Sequence, residues 1–186
     1  MTRDVRMRGF AQRVDVEQVE RLLAPLCAAL GAESVPLLDC AGRVLAQDVA
    51  SDVDVPGFAR SAMDGYAVRG EDTFGASEYS ALELALIGEA YPGRPFAGCV
   101  GAAQAVRIMT GAPIPDGANA VAKAEVCEER DGRVRIHEPV APRKNVGAVG
   151  EDIRRGDLVL RAGRRLRPKD AGLLASIGSG SVPCVG

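Results

Sequence analysis

The stretch AVAKAEVCEERDGRVRIH, residues 120–137, decides the reading of the middle of this chain. Two β-like runs, Ala120–Cys127 and Arg133–His137, flank Glu128-Glu129-Arg130-Asp131-Gly132, and an Asp-Gly pair between such runs is a strong hairpin signal. Working outward, short runs of the same kind recur at Ser34–Leu38, Tyr79–Ile87 and Ala105–Met109. Turns marked by Pro56-Gly57, Pro92-Gly93 and 111–117 separate them. The ends read differently. Val16, Val19, Leu22, Leu23, Leu26 and Leu30 share one face at helical spacing, which predicts a helix over 15–30. Asp15 with Gln18 forms a capping-box variant, Gly31 is a stop, and Pro25 kinks or divides the helix. Near the other end, Leu158–Leu160 reads as a strand. Pro168 opens a second helix that Gly178 ends, and Val182–Val185 begins a strand with which the chain stops.

The expected fold is therefore α+β. An elongated helix/strand domain is formed by both chain ends (1–32 and 148–186), and a β-rich, barrel-like domain (33–147) is inserted between them. Composition agrees with short elements around a thin core. Of 186 residues 29 are Ala, with 22 Gly, 11 Pro, no Trp and only 4% aromatics. Alanine buries little area. Charge is uneven: residues 143–186 carry nine Lys/Arg against four Asp/Glu, while the whole chain has net charge −2. That basic segment reads as a solvated face or a contact for phosphate. It has no interleaved aromatics, so nucleic-acid binding is not expected.

Several function classes drop out. The single histidine, His137, makes a His-based zinc site or a Ser-His-Asp relay improbable. Five scattered cysteines (27, 40, 99, 127, 184) form no C-x-x-C and read as reduced thiols of a cytoplasmic protein. No run approaches the ~18 apolar residues of a membrane span.

Four strings remain as candidate chemistry. In Ser61-Ala62-Met63-Asp64-Gly65-Tyr66-Ala67, Asp64-Gly65 reads as a tight turn with Gly65 at positive φ and the Asp64 carboxylate presented, or as a plain Asx-turn. In Arg107–Gly117, Thr110 precedes a Gly-x-Pro-x-Pro loop whose exposed amides and hydroxyl could meet an oxyanion, or which is merely a stiff loop. In Gly150-Glu151-Asp152-Ile153, the two acids could hold hydrated Mg²⁺ with a partner's phosphate, or sit idle on a turn. The fourth, Leu173–Gly178, is helical. No nucleophile–base pair is visible, so phosphate- or oxyanion-directed chemistry is the better expectation.

Together with Pro36-Leu37-Leu38, Gly42–Ala46 and Leu166–Gly178, these strings resemble the N-terminal half of the molybdopterin molybdenumtransferase family, the MoeA-type proteins and the enzyme domain of gephyrin. The resemblance implies insertion of molybdate into adenylylated molybdopterin, with release of AMP, in the presence of Mg²⁺. It implies a homodimer formed through the discontinuous end domain, and a site shared with an α/β nucleotide- and pterin-binding domain of the other subunit. By motif match, Asp64, Thr110 and Asp152 are the catalytic candidates, with Asp64 and Asp152 also the metal candidates. In one division of labour those two acids orient metal or water and Thr110 donates to an oxyanion. Ser61, Met63, Gly111 and Glu125 are the substrate-binding candidates. The adenylyltransferase of the same pathway is an expected partner. Asn119 stands where the family usually has an acid, Lys123-Ala124 where Met-Gln is common, and Gly147 where Arg is usual. The family continues into the α/β domain and a small β-domain, so the chain is expected to lack the main pterin pocket and to be inactive alone. The alternative is a non-catalytic dimerisation or scaffold module.

Overall fold

The computed structural model describes residues 14–27 and 30–186, so the expectations for 1–13 and 28–29 lie outside the described residues. The described elements are mostly strands. In chain order they are α1 (Val16–Leu23), β1 (Ala32–Pro36), β2 (Val49–Ala50), β3 (Arg60–Ser61), β4 (Gly65–Val68), β5 (Leu82–Ala90) and β6 (Gln104–Ile108). There follow β7 (Ala120–Lys123), β8 (Cys127–Arg130), β9 (Arg133–Ile136), β10 (Val146–Gly147), β11 (Leu158–Leu160), α2 (Pro168–Ser176) and β12 (Ser181–Val185). The described residues group into two compact units, one of 14–27, 30–47, 161–174 and 179–186, the other of 48–160 and 175–178.

In the first unit β1 and β12 pair antiparallel from Ala32 opposite Val185 to Pro36 opposite Ser181. Contacts extend this unit to Gln47, past the expected joint at 32. The cause is backbone pairing: Gly42 N–H donates to the Leu166 carbonyl, Leu45 N–H to that of Arg164, and Ala46 N–H to that of Pro183. Val35, Cys40, Leu45, Leu166, Leu174, Val182 and Cys184 form its buried set. α1 ends where Pro25 turns the chain into a 3₁₀ turn, Ala24–Leu26. The expected capping box does not form, since the Asp15 side chain makes no cap bond and only its carbonyl accepts, from Gln18 and Val19. Every apolar side chain of α1 is exposed. At α2 the Asp170 carboxylate accepts from Arg167 N–H and pairs in bidentate fashion with Arg164. The Arg164 hydrogen bonds, against the opposing cost of burial, hold its carboxyl below the ordinary range.

The second unit is built on a six-stranded sheet in the order β7-β4-β6-β5-β9-β8. All its pairs are antiparallel except β5 with β6. The sheet curls into a half-barrel. Its connectivity requires the curl: the outermost strands β7 and β8 are separated by only Ala124–Val126, so their ends lie within about 14 Å. The run expected as one strand, 120–127, breaks there because Ala124 N–H turns to the Asp64 carbonyl at 3.0 Å. The hairpin expected at Asp131-Gly132 forms, with both residues at positive φ.

Period-two alternation fills both faces of this sheet. Tyr66, Val68, Leu84, Ala105, Ala120, Ala122, Val134 and Ile136 pack on one side. Ala67, Ala90, Val100, Val106, Ile108, Ala112 and Val121 pack on the other. Six of these are alanines, so strands and loops approach closely. Closeness also explains Gly65. Its φ is not positive, contrary to the turn reading; it is the first residue of β4, and a Cβ there would overlap the Ala122 carbonyl oxygen.

Candidate functional site

Asp64 is the last residue before β4, and Thr110 lies two residues past β6, the strand antiparallel to β4. That pairing brings the two loops together. Asp64 Oδ1 accepts two bonds from Thr110, one from its N–H and one from its Oγ1–H, both at 2.8 Å. These bonds, the amide's first, hold the Asp64 carboxyl below the ordinary carboxylate range. Both end on Oδ1, which leaves Oδ2 open, and the residue is exposed.

Thr110, expected to donate to an oxyanion, gives its hydroxyl proton to Asp64 in this structure. A hydroxyl has one proton, and an ionised carboxylate can only accept, so the Thr110 proton goes to Asp64. The neighbouring amides are also engaged. Gly111 N–H donates to the Ser61 carbonyl at 2.8 Å, Ala112 N–H to Met109 at 3.0 Å, and Ile114 N–H to Ala59 at 2.9 Å. Proline supplies none at 113. The 110–114 loop is thus bonded to Asp64 at Thr110 and to the neighbouring backbone through its other amides.

Ser61, expected to bind substrate, is 1% exposed. Its Oγ donates to the Met63 carbonyl at 2.5 Å and accepts from Met63 N–H at 3.3 Å, a local turn that fixes the approach to Asp64. Gly111 sits at φ +84° with its amide engaged, and it likewise shapes the loop. Met63 is 41% exposed and lines a cleft of about 550 Å³ with Glu125. These last two substrate-binding candidates face open space.

Asp152 is brought elsewhere. Val55 and Ile153 exchange backbone bonds at 2.7 and 3.1 Å, and β10 pairs with β3 opposite Arg60 and Ser61. As a result the Arg60 guanidinium lies 3.4 Å from Asp152 Oδ2 and 3.6 Å from Glu151 Oε2. Gly147 belongs to this cluster, since a Cβ there would press on Glu151 Oε2 at 2.6 Å and on the Arg60 side chain. Arg60 supplies the cation of this cluster. Among the described residues no group of three His, Cys, Asp or Glu side chains could hold a metal ion.

Two residues that the sequence reading names without giving them a role, Tyr66 and Asn119, make specific bonds here. Tyr66 Oη donates to Glu129 Oε2 at 2.8 Å, and burial first, then that bond, pushes its phenol up to about 12. The bond ties β4, which starts beside Asp64, to β8. Asn119 accepts from Gly70 N–H at 2.7 Å and donates to both Glu71 carboxylate oxygens at 3.0 Å. An acid at 119 would face Glu71 with like charge, so the amide fits this chain.

Comparison with known proteins gives one answer. The family model described as the MoeA N-terminal region (domain I and II) matches residues 14–178. A molybdopterin molybdenumtransferase of Haemophilus influenzae is 41% identical over 153 residues, 82% of this chain and 37% of that protein. Molybdopterin molybdenumtransferase 2 of Mycobacterium tuberculosis is 36% identical over 168 residues, 90% of this chain and 42% of that protein. The crystal structure of a molybdopterin biosynthesis MoeA protein of Pyrococcus horikoshii superposes with a TM-score of 0.85 at 39% identity, covering 94% of this chain and 46% of that one. The chain thus spans less than half the length of each.

Proposed function

The chain belongs to the family of the MoeA N-terminal region, and on that premise we propose that it acts in molybdenum cofactor biosynthesis, as the part of a molybdopterin molybdenumtransferase that presents Asp64. The reaction is insertion of molybdate into adenylylated molybdopterin with release of AMP. The observation that carries this reading is the Asp64 carboxylate held by two Thr110 donors, with no ion pair to it among the described residues. A charge fixed in this way keeps full acceptor strength at Oδ2, where it orients a water or an N–H or O–H of the ligand without reorganising at the moment of reaction. Thr110 is then a positioning residue, and Ser61 supports it from behind.

Asp152, already answered by Arg60, acts through that pair on the placement of the 150–153 loop. Magnesium belongs to the proposal only as an ion brought with phosphate oxygens, to which Asp64 would add a ligand, with Asp152 a second candidate only if its pair with Arg60 opens. The nucleotide and pterin groups bind an α/β domain outside this chain. Homodimerisation through the end unit is supported by the exposed apolar face of α1. The cytoplasm and a partnership with the pathway's adenylyltransferase complete the reading. No described helix is long and apolar enough to cross a membrane.

The test mixes this chain with one carrying the α/β domain, adenylylated molybdopterin and molybdate, and follows cofactor formation. Activity restored by the parent chain and lost with Asp64→Asn is expected. No restoration at any ratio overturns the catalytic reading. Restoration that Asp64→Asn leaves unchanged makes the carboxylate structural and favours the scaffold reading, for which the unpartnered α1 face is the supporting observation.

A further inference from the structure

Where β7 gives way to β8, along the open seam of the half-barrel, two clefts meet. They share Glu125 and Glu138. The one beside Met63, about 550 Å³, is lined by Lys123 and Lys144; the other, about 840 Å³, by Glu78, Glu128 and His137. Both lysines lie at the end that Met63 lines, where the shared Glu125 and Glu138 also face the cleft, while the other end adds Glu78, Glu128 and His137. Neither lysine has a carboxylate partner among the described ion pairs. The far end already holds charge contacts of its own, since Glu128 lies 3.7 Å from Arg135 and from His137.

Both lysines are set by backbone rather than by chance exposure. Lys123 ends β7 opposite Gly65, and the next residue's N–H donates to the Asp64 carbonyl. Lys144 lies between Arg143 (φ +68°) and Asn145 (φ +59°), two left-handed residues that carry Cβ atoms. Such a conformation persists only where its surroundings over-determine it. Here Arg143 N–H donates to Asn119 at 2.7 Å, Asn145 Nδ2 to Val121 at 2.8 Å, and Ala62 N–H to the Asn145 carbonyl at 3.0 Å. The strap that holds Lys144 is thus bonded to the strand that ends at Lys123 and to the loop that carries Asp64.

We propose that Lys123 and Lys144 form a binding site for a tetrahedral oxyanion at the Asp64 end of this groove. The inference deepens the proposed function and rests on it for the anion's source, either the phosphate of the adenylylated substrate or molybdate itself. The arginine-rich segment 161–169 is the competing anion surface. Two of its guanidinium groups are already engaged, Arg164 by Asp170 and Arg165 by the Gly42 carbonyl.

Titrating the 186-residue chain with pyrophosphate, and separately with molybdate, by calorimetry and amide chemical shifts tests the site. Saturable binding is expected with one or both, with shifts at 62–65, 121–124 and 143–146. Lys123→Gln and Lys144→Gln are each expected to weaken it at least about fivefold, with Lys144→Arg retaining it and added salt weakening it. Tighter pyrophosphate assigns the site to the phosphate ester, and tighter molybdate to the free oxyanion. No binding up to ~1 mM overturns the proposal. So does binding that both glutamine variants keep, or that Arg165→Gln abolishes instead. Because this readout needs no catalysis, loss of oxyanion binding with cofactor formation intact refutes the site alone. Binding without cofactor formation refutes the catalytic reading alone.

Discussion

Asp64 and Asp152 are both exposed aspartates on turns of the same unit, yet the fold treats them oppositely. Asp64 is met by two neutral donors from one residue, which organise its charge without cancelling it. Asp152 is met by a guanidinium, which it shares with Glu151. Neutral donors leave a carboxylate free to act on a ligand, whereas a cation leaves a local tie. On the proposed function the difference separates a residue that acts from one that holds, although motif matching ranks the two alike.

Substitutions can break or sharpen that contrast. Asp64→Asn removes the organised charge and should lower cofactor formation in the complementation assay by about 100-fold or more. Thr110→Val keeps the amide donor but loses the hydroxyl, and a loss of about tenfold is expected. The same variant should raise the Asp64 titration midpoint, read by carboxyl NMR. A carboxyl lowered by folding contributes stability that is complete above the ordinary carboxylate range and is lost as pH falls through its lowered value, so Thr110→Val should flatten part of the acid limb of thermal stability. Asn119→Asp turns another neutral-donor contact, the one to Glu71, into a like-charge pair. A fall in Tm of about 2–4 °C at neutral pH is expected, recovered as the acids protonate. Arg60→Gln should do least, within about threefold on activity, because exposed ion pairs contribute little. A larger effect than that of Thr110→Val would erase the distinction between the two aspartates.

Legibility in the sequence followed the range of the cause. The β8–β9 hairpin was readable because Asp131 and Gly132 carry their own turn chemistry. The division of the first helix at Pro25 and the Pro168–Gly178 helix were readable for the same reason. Gly65 was misread because its requirement comes from the Ala122 carbonyl on another strand. Asp64 and Thr110 could be named by motif. That the threonine hydroxyl bonds to the aspartate depends on the β4–β6 pairing, to which no local pattern points. Ser61 was a substrate-binding candidate by motif alone, and its burial depends on bonds made by 111 and 112. The seam groove had no linear signature, since its two lysines lie on separate segments 21 positions apart.

The half-barrel stops short of closure, and that has a consequence for how the chain behaves among its own copies. An unclosed sheet exposes strand edges that can recruit another chain's strand. On β7 the edge is covered, because Val121 N–H already donates to the Lys144 carbonyl. On β8 it is guarded by side chains, with Glu128, Glu129 and Arg130 in a row and Arg130 paired to Asp131. Charge there works as a deterrent to edge-to-edge aggregation, so replacing Glu128 and Glu129 with valine would turn a quiet border into a template for unwanted strand addition.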